Sequence, residues 1–143
     1  MSTPLTAAEI YRRYNAAENQ HDSMTTAKLV ASDLYVEING VVSVASADDD
    51  AKAMDELYAC YPDYRRDILE IIDADDRAAA VWNMKGTPSA SLALDLEPLD
   101  VKGVSILTGN GHVLTRASLF VESGALSAVL ERAKRARENM GQE

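Results

Sequence analysis

The stretch YRRDILEIIDADDRAAAVWNMK, residues 64–85, decides the fold. Upstream of it, apolar residues recur at helical spacing. From Tyr64 onward the period falls to two, which places alternate side chains on opposite faces of a strand. The pattern predicts one strand to about Ile72, a turn at Asp73-Ala74-Asp75-Asp76 and a second strand from Arg77 to Lys85. A second hairpin follows, Val101 to Leu107 and Val113 to Glu122, around Thr108-Gly109-Asn110-Gly111. Thr87 to Asp100, with its prolines and small residues, reads as a connection between the hairpins.

Working back from the hairpins, Thr6-Ala7-Ala8-Glu9 is a capping box that opens a helix to about Gln20. Ile10, Tyr14 and Ala17 form its buried stripe with Tyr11 flanking them, while Arg12, Arg13, Asn15 and Glu18 are placed on the other sides. Asp22 caps a second helix over Ser23 to Ala31, interrupted at Ser32-Asp33. Leu34–Ile38 and Val41–Val44 flank Asn39-Gly40, the strongest hairpin turn signal in the chain. In a third helix, Ala47-Asp48-Asp49-Asp50 puts carboxylates at the positive end of the backbone dipole, and Ala53, Met54, Leu57, Tyr58 and Tyr61 mark its apolar stripe up to Pro62. After Ser123, Leu126, Val129, Leu130 and Ala133 give a C-terminal helix over about 123–140. Helices followed by hairpin-linked strands indicate an α+β fold, one domain over 1–143 with its core at about 6–130.

Composition narrows the partners. A chain of 143 residues with 47% hydrophobic content is large enough to bury one adequate core. Its net charge of −9 opposes binding to nucleic acid or to an anionic membrane, and its short apolar runs predict no membrane span. A single cysteine, Cys60, cannot form an internal disulfide, and the first residues lack an apolar signal region, so the expected address is the cytoplasm.

Motifs for metal or nucleotide chemistry are not evident. Two isolated histidines and one cysteine supply no zinc-type spacing, and Asp48-Asp49-Asp50 lacks the spacing and glycine of a calcium loop, so no metal is expected. Gly109-Asn110-Gly111 lies between strands rather than between a strand and a helix, which makes it a turn instead of a phosphate loop. His21 and His112 sit beside turns, and no Gly-x-Ser-x-Gly elbow accompanies them. Carboxylates and phenols facing a pocket remain, because burial can bring such groups into a useful proton-transfer range.

The element order, together with Arg13-Tyr14-Asn15-Ala16-Ala17, Asn19-x-His21-Asp22, Tyr61-Pro62-Asp63 and Trp82-x-x-x-Gly86-Thr87, resembles the SnoaL-like polyketide cyclases. These belong to the wider superfamily of nuclear transport factor 2-like cones that includes ketosteroid isomerase. The resemblance implies a curved antiparallel sheet wrapped around helices, a cystatin-like roll, forming a cone with an apolar pocket for a small hydrophobic carbonyl compound. It also implies a homodimer formed through the outer sheet face and acid/base chemistry without a cofactor. Tyr14 matches the oxyanion-holding tyrosine of the isomerases. Their base position falls on Ile38 and their second donor on about Gly103, while the cyclase aspartate falls on Val121. Pro88 replaces the histidine that often follows Gly-Thr in the cyclase-like group.

The carboxylates nearest the displaced base positions are Glu37 and Glu122, either of which a bulge would turn inward, and Asp63 is a third candidate base. Ile38, Tyr58, Trp82, Arg116 and Val121 are the candidate ligand contacts. The leading expectation is a cyclase- or isomerase-type enzyme. The alternatives are a non-catalytic ligand-binding or dimeric interaction domain of the same fold, and an epoxide hydrolase with two opposed carboxylates.

Overall fold

In the computed structural model, which describes residues 3–91 and 96–121, three helices cover one face of a six-stranded sheet. Helix α1 spans Ala7–Asn19. The capping box closes as expected: Thr6 Oγ1 accepts from the Glu9 amide and Glu9 Oε1 accepts from the Thr6 amide, both at 3.1 Å. Its buried face carries Ile10, Tyr11, Tyr14 and Ala17, and also Glu18, which the sequence pattern had set on an outer side.

Helix α2, Ser23–Lys28, is capped by Asp22 and stops three residues before the expected Ala31. Strand β1, Val30–Ile38, takes over those residues because Val30 pairs with Leu114 and the Leu114 amide donates to the Leu29 carbonyl. A buried β-branched valine is better accommodated in that pairing than at a fraying helix end. Asn39 and Gly40 both adopt positive φ, at 51° and 84°, which is the two-residue turn that matches strand twist. Strand β2, Val41–Val44, follows, and then α3, Ala47–Cys60, capped by Ser46.

The remaining strands are β3, Arg65–Ala74, β4, Arg77–Gly86, β5, Leu99–Gly109, and β6, Leu114–Val121. The sheet order is β2-β1-β6-β5-β4-β3, antiparallel except at the β1–β6 junction, where the strands run parallel. A break in register between Ile68 and Glu70 of β3 leaves Leu69 unpaired there, and such bulges sharpen the twist and bend of a sheet. Helix α1 lies across β3 to β6, while α3 covers β1 and β2, so the core fills the concave side. On the strands, Val41, Val42, Leu69, Ile72 and Phe120 remain exposed. Among the described residues no helix is long and apolar enough to cross a membrane. Glu122 and the C-terminal helix expected over about 123–140 lie outside the described residues.

Candidate active site

Between α1, α3 and the concave face of the sheet lies a cavity of about 110 Å³. Apolar side chains make most of its wall, among them Leu34, Val36 and Ile38 of β1, Met54 and Leu57 of α3, and Leu107 and Leu119 of β5 and β6. Into this wall the fold inserts Tyr11, Tyr14, Glu18, Asp50, Arg66 and Ser105.

Two helices supply the first polar pair. Tyr14 of α1 donates its phenol proton to Asp50 Oδ2 of α3 at 2.8 Å, with both groups buried. Asp50 shares a helix face with Ala53, Met54 and Leu57, three, four and seven residues on, and all four line the cavity. Its neighbours do different work: Asp48 pairs with exposed Lys52 at 2.9 Å, and Asp49 accepts from the Ala45 amide at 3.2 Å. Burial raises the Asp50 carboxyl from 3.8 to about 6, against the lowering effect of the Tyr14 hydrogen bond and with a further push from the charge of Glu18. The Tyr14 phenol is itself pushed well up, first by burial and then by Asp50 and Glu18.

A second polar cluster lies beside the first. Glu18, fully buried, accepts from the Tyr64 phenol at 2.6 Å and stands 3.6 Å from Arg66 Nη2. Arg66 Nη1 donates to the Tyr11 oxygen at 3.0 Å, and its guanidinium carbon sits 4.6 Å from the centre of the Trp82 ring. Trp82 Nε1 in turn donates to Ser105 Oγ at 2.8 Å. The rings of Tyr11 and Tyr14 are nearly parallel with centroids 6.3 Å apart, so the two clusters stand side by side.

Of the residues singled out from the sequence, Tyr14 and Ile38 line the cavity. Glu37 falls at the irregular Val36/Glu37 register step, yet its carboxylate points outward and meets Arg116 Nη2 at 3.3 Å. Arg116 also lies 5.0 Å from the Tyr35 ring centre, which fixes it on the outer face as well. Asp63 accepts from the Thr87 amide at 2.6 Å, a turn-fixing contact that lowers its pKa. Tyr58 stacks on His21 at 4.2 Å, away from the cavity wall. Trp82 is wholly buried behind Arg66, and Val121 packs half-buried against the core opposite Gly103. None of Glu37, Asp63, Tyr58, Trp82, Arg116 or Val121 is in the described cavity lining, and Glu122 is outside the described residues. The sheet also shows why a side chain is missing at 103: a Cβ there would stand 2.6 Å from Trp82 Cη2 and 2.8 Å from the Phe120 carbonyl oxygen.

The polar groups that do face the cavity, Asp50, Tyr11, Glu18 and Arg66, were not singled out in advance. The signal for Asp50 was present in its spacing to Ala53, Met54 and Leu57, but an acidic run at a helix start also has a sufficient explanation in the backbone dipole. Tyr11, Tyr14 and Glu18 likewise fall on one helix face at three- and four-residue steps. Arg66 gives no comparable signal, since an arginine at a strand start is ordinarily solvated.

Comparison with known proteins agrees with this architecture. The solved structures it is similar to include a candidate SnoaL-like polyketide cyclase from Shewanella denitrificans, with a TM-score of 0.70, 12% identity, and coverage of 87% of this chain and 96% of that one. A candidate ketosteroid isomerase from Kribbella flavida gives 0.63 at 19% identity, covering 80% and 76% of the two chains. A protein of ketosteroid isomerase-like fold from Catenulispora acidiphila, solved with trimethylamine, gives 0.69 at 16% identity over 88% and 95%. No curated protein sequence matches. The model of the SnoaL-like domain matches residues 11–117, which hold most of α1, all of α3 and nearly all of the sheet that frames the Tyr14–Asp50 pair, and the chain belongs to that SnoaL-like family.

Proposed function

We propose that this protein is a cofactor-independent enzyme of cyclase or isomerase type, moving a proton on a small hydrophobic carbonyl compound with Asp50 as the base. One observation carries the reading: a carboxylate poised near 6 is held by a phenol within an otherwise largely apolar cavity. Proton transfer is most efficient when the catalytic group titrates near the working pH. An ionised Asp50 would take a proton from the carbon beside a carbonyl, and the C–H electron pair would pass to the carbonyl oxygen to form an enolate. Reprotonation at the same or a conjugated carbon, or attack on a second carbonyl within the same molecule, completes an isomerisation or a ring closure. The cavity, at about 110 Å³, is smaller than engineered apolar cavities of about 150 Å³ that admit benzene, which limits it to a compact substrate.

The Tyr14 hydrogen bond holds Asp50 in one orientation and restrains the rise in its pKa. Glu37, Asp63 and Arg116, engaged elsewhere, are left to structural roles in this reading. A homodimer is part of the same proposal, supported by Phe120 and Ile72 standing exposed on strands of the sheet.

Deuterium exchange tests the reading without knowledge of the natural substrate. Small cyclic ketones and enones incubated with the protein in heavy water should incorporate deuterium beside the carbonyl, read by mass spectrometry. Asp50→Asn should slow this by about 100-fold or more, the usual contribution of a positioned base. Undiminished exchange in Asp50→Asn would remove Asp50 from the reaction, and no exchange by the native protein would leave the binding-domain alternative.

A further inference from the structure

Two Asn-Gly pairs stand at turns of this chain, Asn39-Gly40 and Asn110-Gly111, and the fold holds their side-chain amides in different ways. An asparagine followed by glycine is the pairing most open to loss of that amide, because glycine has no Cβ to keep its backbone nitrogen away from the asparagine Cγ. At Asn39 both ends of the amide are committed: Nδ2 donates to the Val121 carbonyl at 3.3 Å, and Oδ1 accepts from the Val121 amide at 3.0 Å. The group is thereby tied to β6. At Asn110 only the oxygen is held. Its Oδ1 accepts from the amides of His112 and Val113, each at 3.0 Å. Among the described residues nothing bonds its Nδ2 or the backbone nitrogen of Gly111. Asn110 is exposed and borders an open hollow shared with Pro4, Thr6, Asp75 and Asp76, so water reaches the turn.

We propose that Asn110 is a site of spontaneous deamidation, activated by its own turn. The nitrogen of Gly111, its proton taken by a base from solvent, attacks Cγ of Asn110, and a C=O electron pair moves onto Oδ1. The amides of His112 and Val113 already point at that oxygen, so the developing charge meets two donors without reorganisation. The pair then returns, the bond from Cγ to Nδ2 breaks and, with a proton from water, ammonia leaves a succinimide between residues 110 and 111. Water opens the ring at one carbonyl to give aspartate or at the other to give isoaspartate. The chain loses ammonia and gains water, and no oxidant or cofactor takes part. The two products differ in consequence. Aspartate keeps an oxygen for both amides and preserves the turn. Isoaspartate routes the main chain through the side-chain carbon and displaces Gly111, whose carbonyl accepts from the Leu5 amide at 2.9 Å and which lies beside Pro4. It thereby frees the segment that leads into α1. The proposal is independent of the chemistry in the cavity.

The test incubates the full chain in mildly alkaline buffer, folded and in urea, and maps its peptides by mass spectrometry for amide NH2 replaced by OH. The unfolded chain sets the reference rate of each Asn-Gly pair. Folding should leave Asn110 at or above its rate in urea. It should slow Asn39 by roughly tenfold or more, as for a group that reacts only when its native bonds open. An Asn110 slowed as much as Asn39, or more, overturns the proposal. Two variants imitate the aspartate products. Asn110→Asp should unfold at the native midpoint, whereas Asn39→Asp, which loses the donor to the Val121 carbonyl, should unfold earlier; the reverse order also overturns it. Isoaspartate-bearing protein, separated by chromatography, should exchange its Leu5 amide with heavy water faster than Asn110→Asp does. Equal exchange would overturn the claim that isoaspartate frees the segment before α1.

Discussion

Tyr14 and Asp50 stand 36 positions apart in the chain and 2.8 Å apart in the fold, joined by a hydrogen bond from the phenol to the carboxylate. The bond has a definite effect on titration, since it favours the charged carboxylate and opposes the rise caused by burial. In the native protein the exchange rate should climb with pH to half its plateau near 6, as Asp50 ionises. Tyr14→Phe removes the lowering contact, so the midpoint should move to higher pH while the plateau persists. Carbon-13 NMR of the Asp50 carboxyl gives the same midpoint independently. A midpoint that stays in place would show that the hydrogen bond does not tune the base.

The same carboxylate should weaken the fold. A carboxyl whose pKa rises on folding stabilises the native state while protonated, and that stability drains away as pH climbs from the unfolded value through the folded one. For Asp50 the window is about 3.8 to 6, and the full difference corresponds to roughly 3 kcal/mol. Asp50→Asn, which retains an acceptor for Tyr14, should therefore be more stable than the native protein at pH 7. It should also lose the decline in stability across that window. Thermal unfolding from pH 4 to 7 measures both, and a less stable Asp50→Asn would contradict this account. A gain in stability with a loss of exchange is the trade-off expected where a fold keeps a costly group for its chemistry.

The contrast between legible and illegible features has a physical origin. Period, caps and turns are local, and the Thr6-Glu9 box, the Asn39-Gly40 turn and the Tyr64–Lys85 hairpin could all be read from neighbouring residues. Site membership depends on where separate elements meet. Glu37 was a fair candidate beside a displaced base position, and a register break does occur there. Arg116, on β6 five strands later in the chain but next to β1 in the sheet, nevertheless draws its carboxylate outward. Asp50 was legible as a helix-start acid, which its neighbours Asp48 and Asp49 are, but only the packing of α3 against α1 sets it opposite Tyr14. Val30 shows the same limit for an element boundary: its helical spacing gives way to a partner strand more than eighty residues later.

Glu18 and Arg66 are each nearly or wholly buried, and each serves as the other's principal counter-charge. Removing one charge from such a pair leaves the other stranded, at a cost of about 3–5 kcal/mol. Glu18→Gln should destabilise to that extent, and replacing both, as Glu18→Leu with Arg66→Met, should recover much of the loss. Because the charge of Glu18 raises Asp50, Glu18→Gln should also shift the exchange midpoint towards lower pH. Denaturant unfolding of the two variants and the pH profile of the single one check the claims separately. A double variant no more stable than Glu18→Gln would argue against the pair as the source of the cost.

Gly103 makes the last prediction, and it bears on why an isomerase-like donor is missing there. Its α-carbon lies under Trp82, paired with it across β4 and β5, and the indole occupies the space a side chain would need. Trp82 cannot yield readily, since its Nε1–H is bound to Ser105 and its ring lies against Arg66. Gly103→Ala should therefore cost about 1–3 kcal/mol, the usual penalty for overpacking a filled core. Gly103→Asp should cost more, by forcing a charge into the same occupied volume. Relieving the clash with Trp82→Leu should restore part of the stability to Gly103→Ala, because the steric conflict is with the indole. A Gly103→Ala protein with native stability would mean that the indole can shift, and Trp82 would then no longer explain the missing side chain.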